Sequence, residues 1–188
     1  FGEPTSHPRF IDMLRIAKEA GLKVGITTNG TLLDEEMCEQ LVALRLDRLV
    51  VSIDGTKPEH YQDIRLGSHL NDVIANMKRL RRVKIRRASR FAPPQVGIAF
   101  VAMRRNIEDL PELPDLALRI GATEIIVSNL IPYSREMESE ILYEDTLTMR
   151  PQRTSPQRLN LSLPRMDVNA QTLPPFAQVM NSHLSIGF

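Results

Sequence analysis

The chain has 188 residues, the length of one domain or slightly more. Its 42% hydrophobic and 25% charged residues, without an apolar run near the ~18 residues of a spanning helix, predict a soluble globular protein and exclude a membrane segment. Lys and Arg number 24 against 23 Asp and Glu. The formal net charge of +1 therefore excludes a global field that would attract nucleic acid or anionic lipid.

The cysteine content and the two ends of the sequence predict where the protein is located and whether it is part of a longer chain. Cys38 is the only cysteine and excludes an internal disulfide, and the start shows no signal peptide, which together predict a reducing, cytoplasmic location. The four histidines show no metal-ligand spacing. Because the chain opens on Phe1 rather than Met and closes on the apolar run 184–188, we expect a piece of a longer protein.

Helical and strand periods alternate through the first 130 residues, which predicts an α/β fold with a parallel sheet. Apolar residues at helical spacing, including Met13 and Leu14, predict a first helix that ends at Gly21. Pro111 and Pro114 predict the start of the fourth helix, since the first turn needs no N–H donors. The predicted strands are 24–28, 49–53, 95–102 and 124–129, with helices near 34–44, 70–80 and 111–120.

The character of the sequence changes after residue 150. The last 38 residues contain five prolines and only four charged residues, which predicts a C-terminal extension or linker over 151–188, distinct from a domain of residues 1–150. Within it, alternating leucines predict one half-buried strand over 159–163 that ends at Pro164, and a short helix fits 176–180.

Polar turns follow three of the predicted strands: Thr28-Asn29-Gly30, Ser52-Ile53-Asp54-Gly55 and Ser128-Asn129. The opening Gly2-Glu3-Pro4 precedes a helix in the same way. Each turn by itself is ordinary turn chemistry, since Asn-Gly and Asp-Gly tolerate positive φ. In parallel α/β folds, however, the active site is built at the carboxyl ends of the strands, so the four turns together predict a site there.

The first three motifs along the chain, Gly2-Glu3-Pro4, Thr28-Asn29-Gly30 and Ser52-Ile53-Asp54-Gly55, resemble the core of radical S-adenosylmethionine (SAM) enzymes in their order and strand contexts. The run 59–65, followed by a helix, is similar as well, so the resemblance covers residues 1–133. It implies an incomplete (β/α)6 partial TIM barrel with parallel strands. It also implies an enzyme that reductively cleaves SAM to a 5′-deoxyadenosyl radical, which abstracts a hydrogen atom from the substrate.

The [4Fe–4S] cluster of this family is held by a CxxxCxxC loop after the first barrel strand, and this sequence has no such loop. We therefore expect the first strand and the cluster loop to lie upstream of Phe1, with the cluster ligands outside this chain. Cys38, on the apolar side of a helix, is expected to be a small buried residue rather than a ligand. Neither a catalytic residue nor a metal ligand is assigned within the chain.

The resemblance implies cofactor-binding roles for eight residues: Gly2, Glu3, Pro4, Asn29, Ser52, Arg65, Ser128 and Asn129. The opening turn matches the one that contacts the SAM ammonium, through backbone groups and the acidic side chain of Glu3. Arg65 matches the arginine that pairs with the SAM carboxylate. Asn29 is the central residue of the Thr-Asn-Gly motif.

The remaining assignments concern the later strand exits. Ser52 matches a residue that bonds the carboxylate or the ribose, whereas Asp54 is expected to stabilise its own turn. Ser128 and Asn129 are expected to face ribose or substrate. Residues 130–132 would offer the adenine an apolar surface.

Residues 127–143 and 163–167 are similar to the branch of the family that carries a further cysteine-rich SPASM region, whose members modify peptides or mature metalloenzymes. This similarity implies a peptide or protein substrate. An electron donor such as ferredoxin or flavodoxin is implied as the partner. The cysteines of an auxiliary cluster would lie beyond Phe188.

Two other classes of function fit parts of the sequence. Lys57, just past the second strand exit, would serve a lyase or aldolase barrel as a Schiff-base amine. Eight basic residues within 78–90, the basic run, would serve a non-enzymatic module that binds nucleic acid or an acidic peptide. Because Phe91 is the only aromatic residue beside the basic run, a solvated face is favoured over a nucleic-acid surface.

Two alanine variants separate the SAM enzyme from the lyase. In the full-length, cluster-loaded protein, Arg65→Ala is expected to weaken SAM binding about tenfold to a hundredfold, since a charge-assisted hydrogen bond contributes about 1.5 to 3 kcal/mol. Lys57→Ala is expected to change SAM affinity little when both are measured by calorimetry or equilibrium dialysis. Unchanged affinity in Arg65→Ala, together with lost activity in Lys57→Ala, would favour the lyase.

Overall fold

A computed structural model describes residues 2–64, 68–87, 89, 91–131 and 134–142, together with the backbone of two further strands, 147–153 and 160–165. The helices are α1 (Phe10–Glu19), α2 (Glu35–Ala43), α3 (Pro58–Ile64), α4 (Leu70–Arg87), α5 (Leu113–Ile120) and the short α6 (Arg135–Glu138). The strands are β1 (Gly25–Thr28), β2 (Arg48–Ser52), β3 (Gln95–Ala102), β4 (Glu124–Asn129), β5 (Leu147–Arg153) and β6 (Asn160–Arg165). Two 3-10 turns, Pro4–Ser6 and Ile107–Glu112, precede α1 and α5.

The strands form one sheet in the order β1-β2-β3-β4-β6-β5. β1 to β4 pair in parallel, with Thr28 opposite Val51 and Val51 opposite Ile98, and β6 continues this direction beside β4. β5 pairs with β6 antiparallel. Helices connect β1 to β4 in series, which confirms the predicted α/β class with parallel strands. These four strands therefore end at one edge of the sheet, the carboxyl edge.

Helices α1 to α5 contribute to one apolar core with a single face of the sheet. Alternate strand residues such as Leu49, Ile98 and Val127 point into this core and are fully buried. They share it with Met77 of α4 and Leu113 of α5. The face of the sheet opposite these helices is the far face, which carries the other residues of each strand. No helix in the described ranges is long and apolar enough to cross a membrane.

The sheet continues past residue 150, where the sequence predicted a boundary. β5 spans this position, and β6 joins the parallel sheet with Leu161 opposite Ile125. The strand predicted over 159–163 is present as β6, although Pro164 lies within it rather than at its end. The helix predicted over 176–180 lies outside the described residues. The division into a domain of residues 1–150 and an extension over 151–188 stays a proposal.

The buried stripe of α1 is narrower than predicted. Phe10 and Leu14 are buried one turn apart, whereas Met13, predicted on the same face, is 48% exposed. The reason is the position of α1 next to the opening turn and before β1, the terminal strand of the sheet. A helix at the edge of a sheet packs against fewer neighbours, so a single row of its side chains is enough to fill the contact with the core.

The start of the fourth predicted helix also differs. α5 begins at Leu113 with Pro114 in its first turn, whereas Pro111 lies in the preceding 3-10 turn. Two prolines in quick succession remove two N–H donors, which interrupts an α-helical ladder and leaves room for the tighter turn. Gly121 ends α5 at a φ of +80°, as its position after the helix predicted.

Lys84 is a buried cation near the end of α4. It is 6% exposed, and its ammonium donates a hydrogen bond to the carbonyl of Pro94 at 2.6 Å. Burial disfavours the charged form and lowers the pKa of Lys84 from its usual 10.5 to about 8. The folded protein therefore loses this proton at a lower pH than the unfolded chain does.

The pH dependence of unfolding tests the burial of Lys84. Between pH 8 and pH 10.5 the unfolded chain keeps a proton that the folded protein has released, so the free energy of unfolding rises with pH. We expect a rise on the order of 3 kcal/mol in urea titrations of the wild type and none from this source in Lys84→Met. The exposed Lys78 of the same helix supplies the control Lys78→Met, which keeps the rise. Parallel curves for the wild type and Lys84→Met would contradict the assignment.

Candidate functional site

The predicted strand exits lie together at the carboxyl edge. Because β1, β2 and β4 belong to one parallel sheet, the turns after them follow one another along this edge, with the end of β3 between the second and the third. The opening turn joins them through the carboxylate of Glu3, which hydrogen-bonds the end of β1. Four motifs that are far apart in the sequence thus form one cluster of loops.

Glu3 holds the opening turn against β1 through both carboxylate oxygens. Oε1 accepts hydrogen bonds from the Thr28 hydroxyl at 2.7 Å and from the N–H and hydroxyl of Thr5 at 3.1 and 2.5 Å. Oε2 accepts the N–H of Asn29 at 2.7 Å. The carboxylate therefore orders the loop itself, and a contact of this turn with an ammonium group stays a prediction.

The charge of Glu3 matches this role. Partial burial raises the pKa of the carboxyl, but hydrogen bonds from Asn29 and two threonines outweigh burial and hold the pKa below its usual value. Pro4 begins the 3-10 turn, and a Cβ added at Gly2 would meet no described atom within 4 Å. The opening turn is thus a backbone loop stabilised by one internal anion.

The loop after β1 is fixed from two sides. Asn29 Oδ1 accepts the N–H and the hydroxyl of Thr31 at 2.9 and 2.7 Å. Gly30 has a φ of +76°, and a Cβ there would lie 2.9 Å from Val51 Cγ2, so this position requires glycine. Asn76 of α4 donates hydrogen bonds to the carbonyls of Gly30 and Thr31 at 2.9 and 3.0 Å. Sequence reasoning missed Asn76, although an asparagine inside a helix, where its propensity is poor, was a usable signal.

Ser52 and Ser128 lie on the far face. Val127 points into the core, so its neighbour Ser128 points to the far face, which Ser52 shares with Ala99, its partner in the register. Both serines are half-buried. Asn129 returns to the helix-covered side. The two residues predicted to face ribose or substrate at the end of β4 therefore lie on opposite faces of the sheet.

Asn129 is the last residue of β4 and is only 8% exposed. Its side-chain Nδ2 and Oδ1 have no hydrogen-bond partner among the described residues. A buried amide without partners costs about 1–3 kcal/mol, so such a group calls for an explanation. Because it offers both a donor and an acceptor at the carboxyl edge, Asn129 is a candidate ligand-binding residue.

An ion pair lies on the far face toward the amino ends of the strands. Arg48 of β2 reaches across β3 to Glu124 of β4, with Nε and Nη2 at 2.9 and 2.6 Å from Oε2. It passes Gly97, where an added Cβ would lie 3.2 Å from the same oxygen. The charged pair thus occupies this end of the far face, and the uncharged Ser52 and Ser128 lie at the other end, next to the loops.

A cavity of about 480 Å³ lies at the amino edge of the sheet, between Lys23, Asp47, Arg48, Phe91 and Gln95. It is at the opposite ends of the strands from the polar turns, so it is not part of the candidate site. In parallel α/β folds this end of the sheet serves stability rather than catalysis.

Arg65, expected to pair with a carboxylate, lies outside the described residues, as does Pro132 of the expected apolar surface. Asp54 was expected to stabilise its own turn. Its carboxylate accepts the N–H of Val101 on β3 at 2.8 Å, because the strand end beside it presents an N–H that needs an acceptor, and the expected contact within its own turn stays a prediction.

Lys57 has carboxylate neighbours. Its Nζ lies 3.8 Å from Oδ1 of Asp109 and 4.0 Å from Oε1 of Glu112, and the side chain is 47% exposed. Schiff-base formation needs a free amine in a desolvated setting. An exposed ammonium between two carboxylates does not meet this need, so the arrangement gives the lyase alternative no support.

The basic run is largely engaged within the fold. Arg86 pairs with Glu35 and Glu39 at 2.8 and 2.6 Å, and Arg87 pairs with Glu39 at 2.6 Å. Arg90 lies outside the described residues. Because these guanidinium groups already have carboxylate partners on α2, they do not form the free basic surface that a nucleic-acid module needs.

Comparison with known proteins identifies the family. The profile of the Radical SAM superfamily matches residues 1–117. The chain belongs to this superfamily. The tungsten-containing aldehyde ferredoxin oxidoreductase cofactor-modifying protein of Pyrococcus furiosus is 39% identical over 151 residues, and the AdoMet-dependent heme synthase of Methanosarcina barkeri is 33% identical over 140. The matches cover 80% and 74% of this chain but only 42% and 38% of those proteins.

Solved structures share the fold. SuiB of Streptococcus suis bound to S-adenosylmethionine has a TM-score of 0.59 at 21% identity, over 72% of this chain and 29% of that chain. The same protein bound to its precursor peptide SuiA has a TM-score of 0.57 at 21% identity, over 77% and 30%. Radical SAM proteins use SAM and a [4Fe–4S] cluster, so both predicted cofactors are those of the family.

The described residues fit one of these two cofactors. SAM carries donors and acceptors on its adenine, ribose and amino-acid groups, which suits the unpartnered buried amide of Asn129. A [4Fe–4S] cluster needs several thiolates, and Cys38 is the only cysteine. Cys38 is fully buried, and burial raises its pKa to about 12, which keeps the thiol protonated. The residues of this chain therefore do not fit a [4Fe–4S] cluster.

The carboxylate of Glu3 is tested by an isosteric exchange. Glu3→Gln keeps the shape but loses one acceptor, so we expect the free energy of unfolding at pH 7 to fall by about 1 kcal/mol. Because the folded pKa of Glu3 is lowered, its contribution is present above the usual value of 4.5 and is lost as pH falls through the folded pKa. Acid titrations followed by circular dichroism should show this loss in the wild type and in the exposed control Glu19→Gln, but not in Glu3→Gln. Identical acid profiles for all three proteins would contradict the role.

Proposed function

We propose that this chain supplies the SAM-binding part of a radical SAM enzyme that modifies a peptide or protein, or matures a metal-containing cofactor. The relatives support this range, since one is named a cofactor-modifying protein, another a heme synthase, and SuiB is bound to a precursor peptide. The chain spans less than half the length of these two relatives. The activity, substrate and partners of the whole protein are therefore parts of the proposal.

The observation that carries the proposal is the buried, unpartnered amide of Asn129 at the carboxyl edge. It ends β4, which belongs to the same parallel sheet as β1 and β2, the strands that end in the motifs resembling those of the family. Among the described residues no hydrogen bond offsets the desolvation of this amide, so it contributes nothing to the stability of that part of the fold. A polar ligand at this edge supplies the compensation.

The site residues take the following roles in this proposal. The backbone of the opening turn, held by Glu3, receives the SAM ammonium, and Arg65 pairs with its carboxylate. Ser52 bonds the ribose or the carboxylate from the far face. Ser128 and Asn129 bond ribose or substrate from the two faces of the end of β4. Once bound SAM has been reduced by one electron, it would supply the group that abstracts a hydrogen atom from the substrate.

The electron for that reduction comes, in this proposal, from a ferredoxin or flavodoxin. A cytoplasmic location completes the proposal, since the only cysteine is a free buried thiol and a reducing compartment suits low-potential electron donors.

Binding of SAM to alanine variants tests the proposal. We expect Asn129→Ala to weaken SAM binding about tenfold in isothermal titration calorimetry, since it removes hydrogen bonds from a buried site. Its free energy of unfolding without SAM should not fall by more than about 1 kcal/mol, because no hydrogen-bond partner among the described residues is left unpaired. Asn71→Ala, at an exposed position of α4, is the matched control and should retain both properties.

Two results would contradict the proposal. A wild-type chain without saturable SAM binding would remove the function itself. Equal SAM affinity in the wild type and Asn129→Ala would show that Asn129 does not bind SAM.

A further inference from the structure

The loop after β2, residues 52–57, leaves the sheet at Asp54. The backbone ladder continues to Ile53, whose N–H donates to the carbonyl of Ala99 at 2.9 Å. One residue later, the Asp54 carboxylate accepts the N–H of Val101 at 2.8 Å, so a side chain takes the place of a backbone acceptor. The backbone ladder with β3 therefore ends after Ile53, one residue beyond Ser52.

Asn106, in the segment after β3, fixes the turn at Asp54. Its Nδ2 donates to the carbonyl of Asp54 at 3.0 Å and to the carbonyl of Val101 at 2.9 Å. Its Oδ1 accepts the N–H of Met103 at 2.8 Å. The residue is completely buried, and its amide joins the end of β2, the end of β3 and the following loop. Its removal would leave two buried carbonyls without this donor.

Asp109 and Glu112 hold the next part of the same loop. Asp109 is completely buried, and its Oδ2 accepts the N–H of Thr56 at 2.9 Å. Glu112 Oε2 accepts the Thr56 hydroxyl at 2.7 Å. Lys57 Nζ lies 3.8 Å from the other oxygen of Asp109. Both ends of loop 52–57 are therefore attached to one segment, residues 106–112.

We propose that Asn106 and Asp109 are positioning residues, which hold loop 52–57 in the shape that binds SAM. The proposal rests on the proposed function, in which Ser52 bonds the ribose or the carboxylate. A loop that is ordered before binding does not lose conformational freedom when the ligand arrives, and so binds it more tightly. In this protein, the ordering comes from the strand exit next to the loop.

A purely structural role predicts a different result. If Asn106 and Asp109 only stabilised the fold, any substitution with the same loss of stability would have the same effect on SAM binding. The control is Val83→Ala, since Val83 is a completely buried residue of the apolar core on α4. It lowers stability by cavity formation without removing a hydrogen bond of loop 52–57.

Asp109 offers a conservative pair of variants. Asp109→Asn keeps an oxygen that accepts the N–H of Thr56, whereas Asp109→Ala removes it. Asn106→Ala removes the donor to Asp54 and Val101. We expect SAM dissociation constants about tenfold higher for Asn106→Ala and Asp109→Ala, near the wild-type value for Val83→Ala, and restored to within about threefold for Asp109→Asn.

Hydrogen–deuterium exchange on the same proteins gives a readout that does not depend on SAM. Amides of residues 52–57 should exchange faster in Asn106→Ala and Asp109→Ala than in Val83→Ala of matched thermal stability. Saturable SAM binding by the wild type with equal affinity in both alanine variants would overturn the positioning role alone. Absence of SAM binding by the wild type would overturn the proposed function and this inference with it. If Asn106→Ala fails to fold, the Asp109 pair decides.

Discussion

Parallel pairing of β1 to β4 is the constraint on which the arrangement of this protein depends. A parallel ladder needs a crossover after every strand, and here α1 to α5 make one face of the sheet the core. All four strands then end at one edge, with Thr28, Val51 and Ile98 in register across the first three. The backbone ladders bring the polar turns to this edge, and Glu3 joins the opening turn to the turn after β1.

The loops at this edge are ordered by side chains that form hydrogen bonds with backbone groups. Glu3 accepts the N–H of Asn29, Asn76 donates to the carbonyls after β1, and Asn106 donates to those after β2. Each side chain supplies what a continuing strand would otherwise provide at that point, where buried N–H and carbonyl groups need partners. The result is a set of irregular loops with fixed shapes, which is the form that a ligand site needs.

Several charged side chains in the part of the chain that the structure describes form internal contacts. Arg48 pairs with Glu124, Arg86 with Glu39, and Lys57 lies beside Asp109. These pairs account for the features that favoured a lyase or a nucleic-acid module, since an amine or guanidinium already paired with a carboxylate has less to offer a ligand. The uncharged residues at the carboxyl edge are therefore the better candidates for binding a ligand.

Local sequence determined the class of the fold, the succession of the first four strands along the chain and the polar turns of the candidate site. Hydrophobic period, glycine at positive φ and polar strand exits are properties of neighbouring residues, so they are readable without a structure. The tertiary structure decided the exposure of Met13, the opposite faces of Ser128 and Asn129, and the roles of Asn76 and Asn106. Each of these depends on a partner many residues away or on the face to which a strand end points. A local pattern predicts which face of an element is apolar, but the packing of distant elements decides how much of that face is covered and which partner a buried polar group finds.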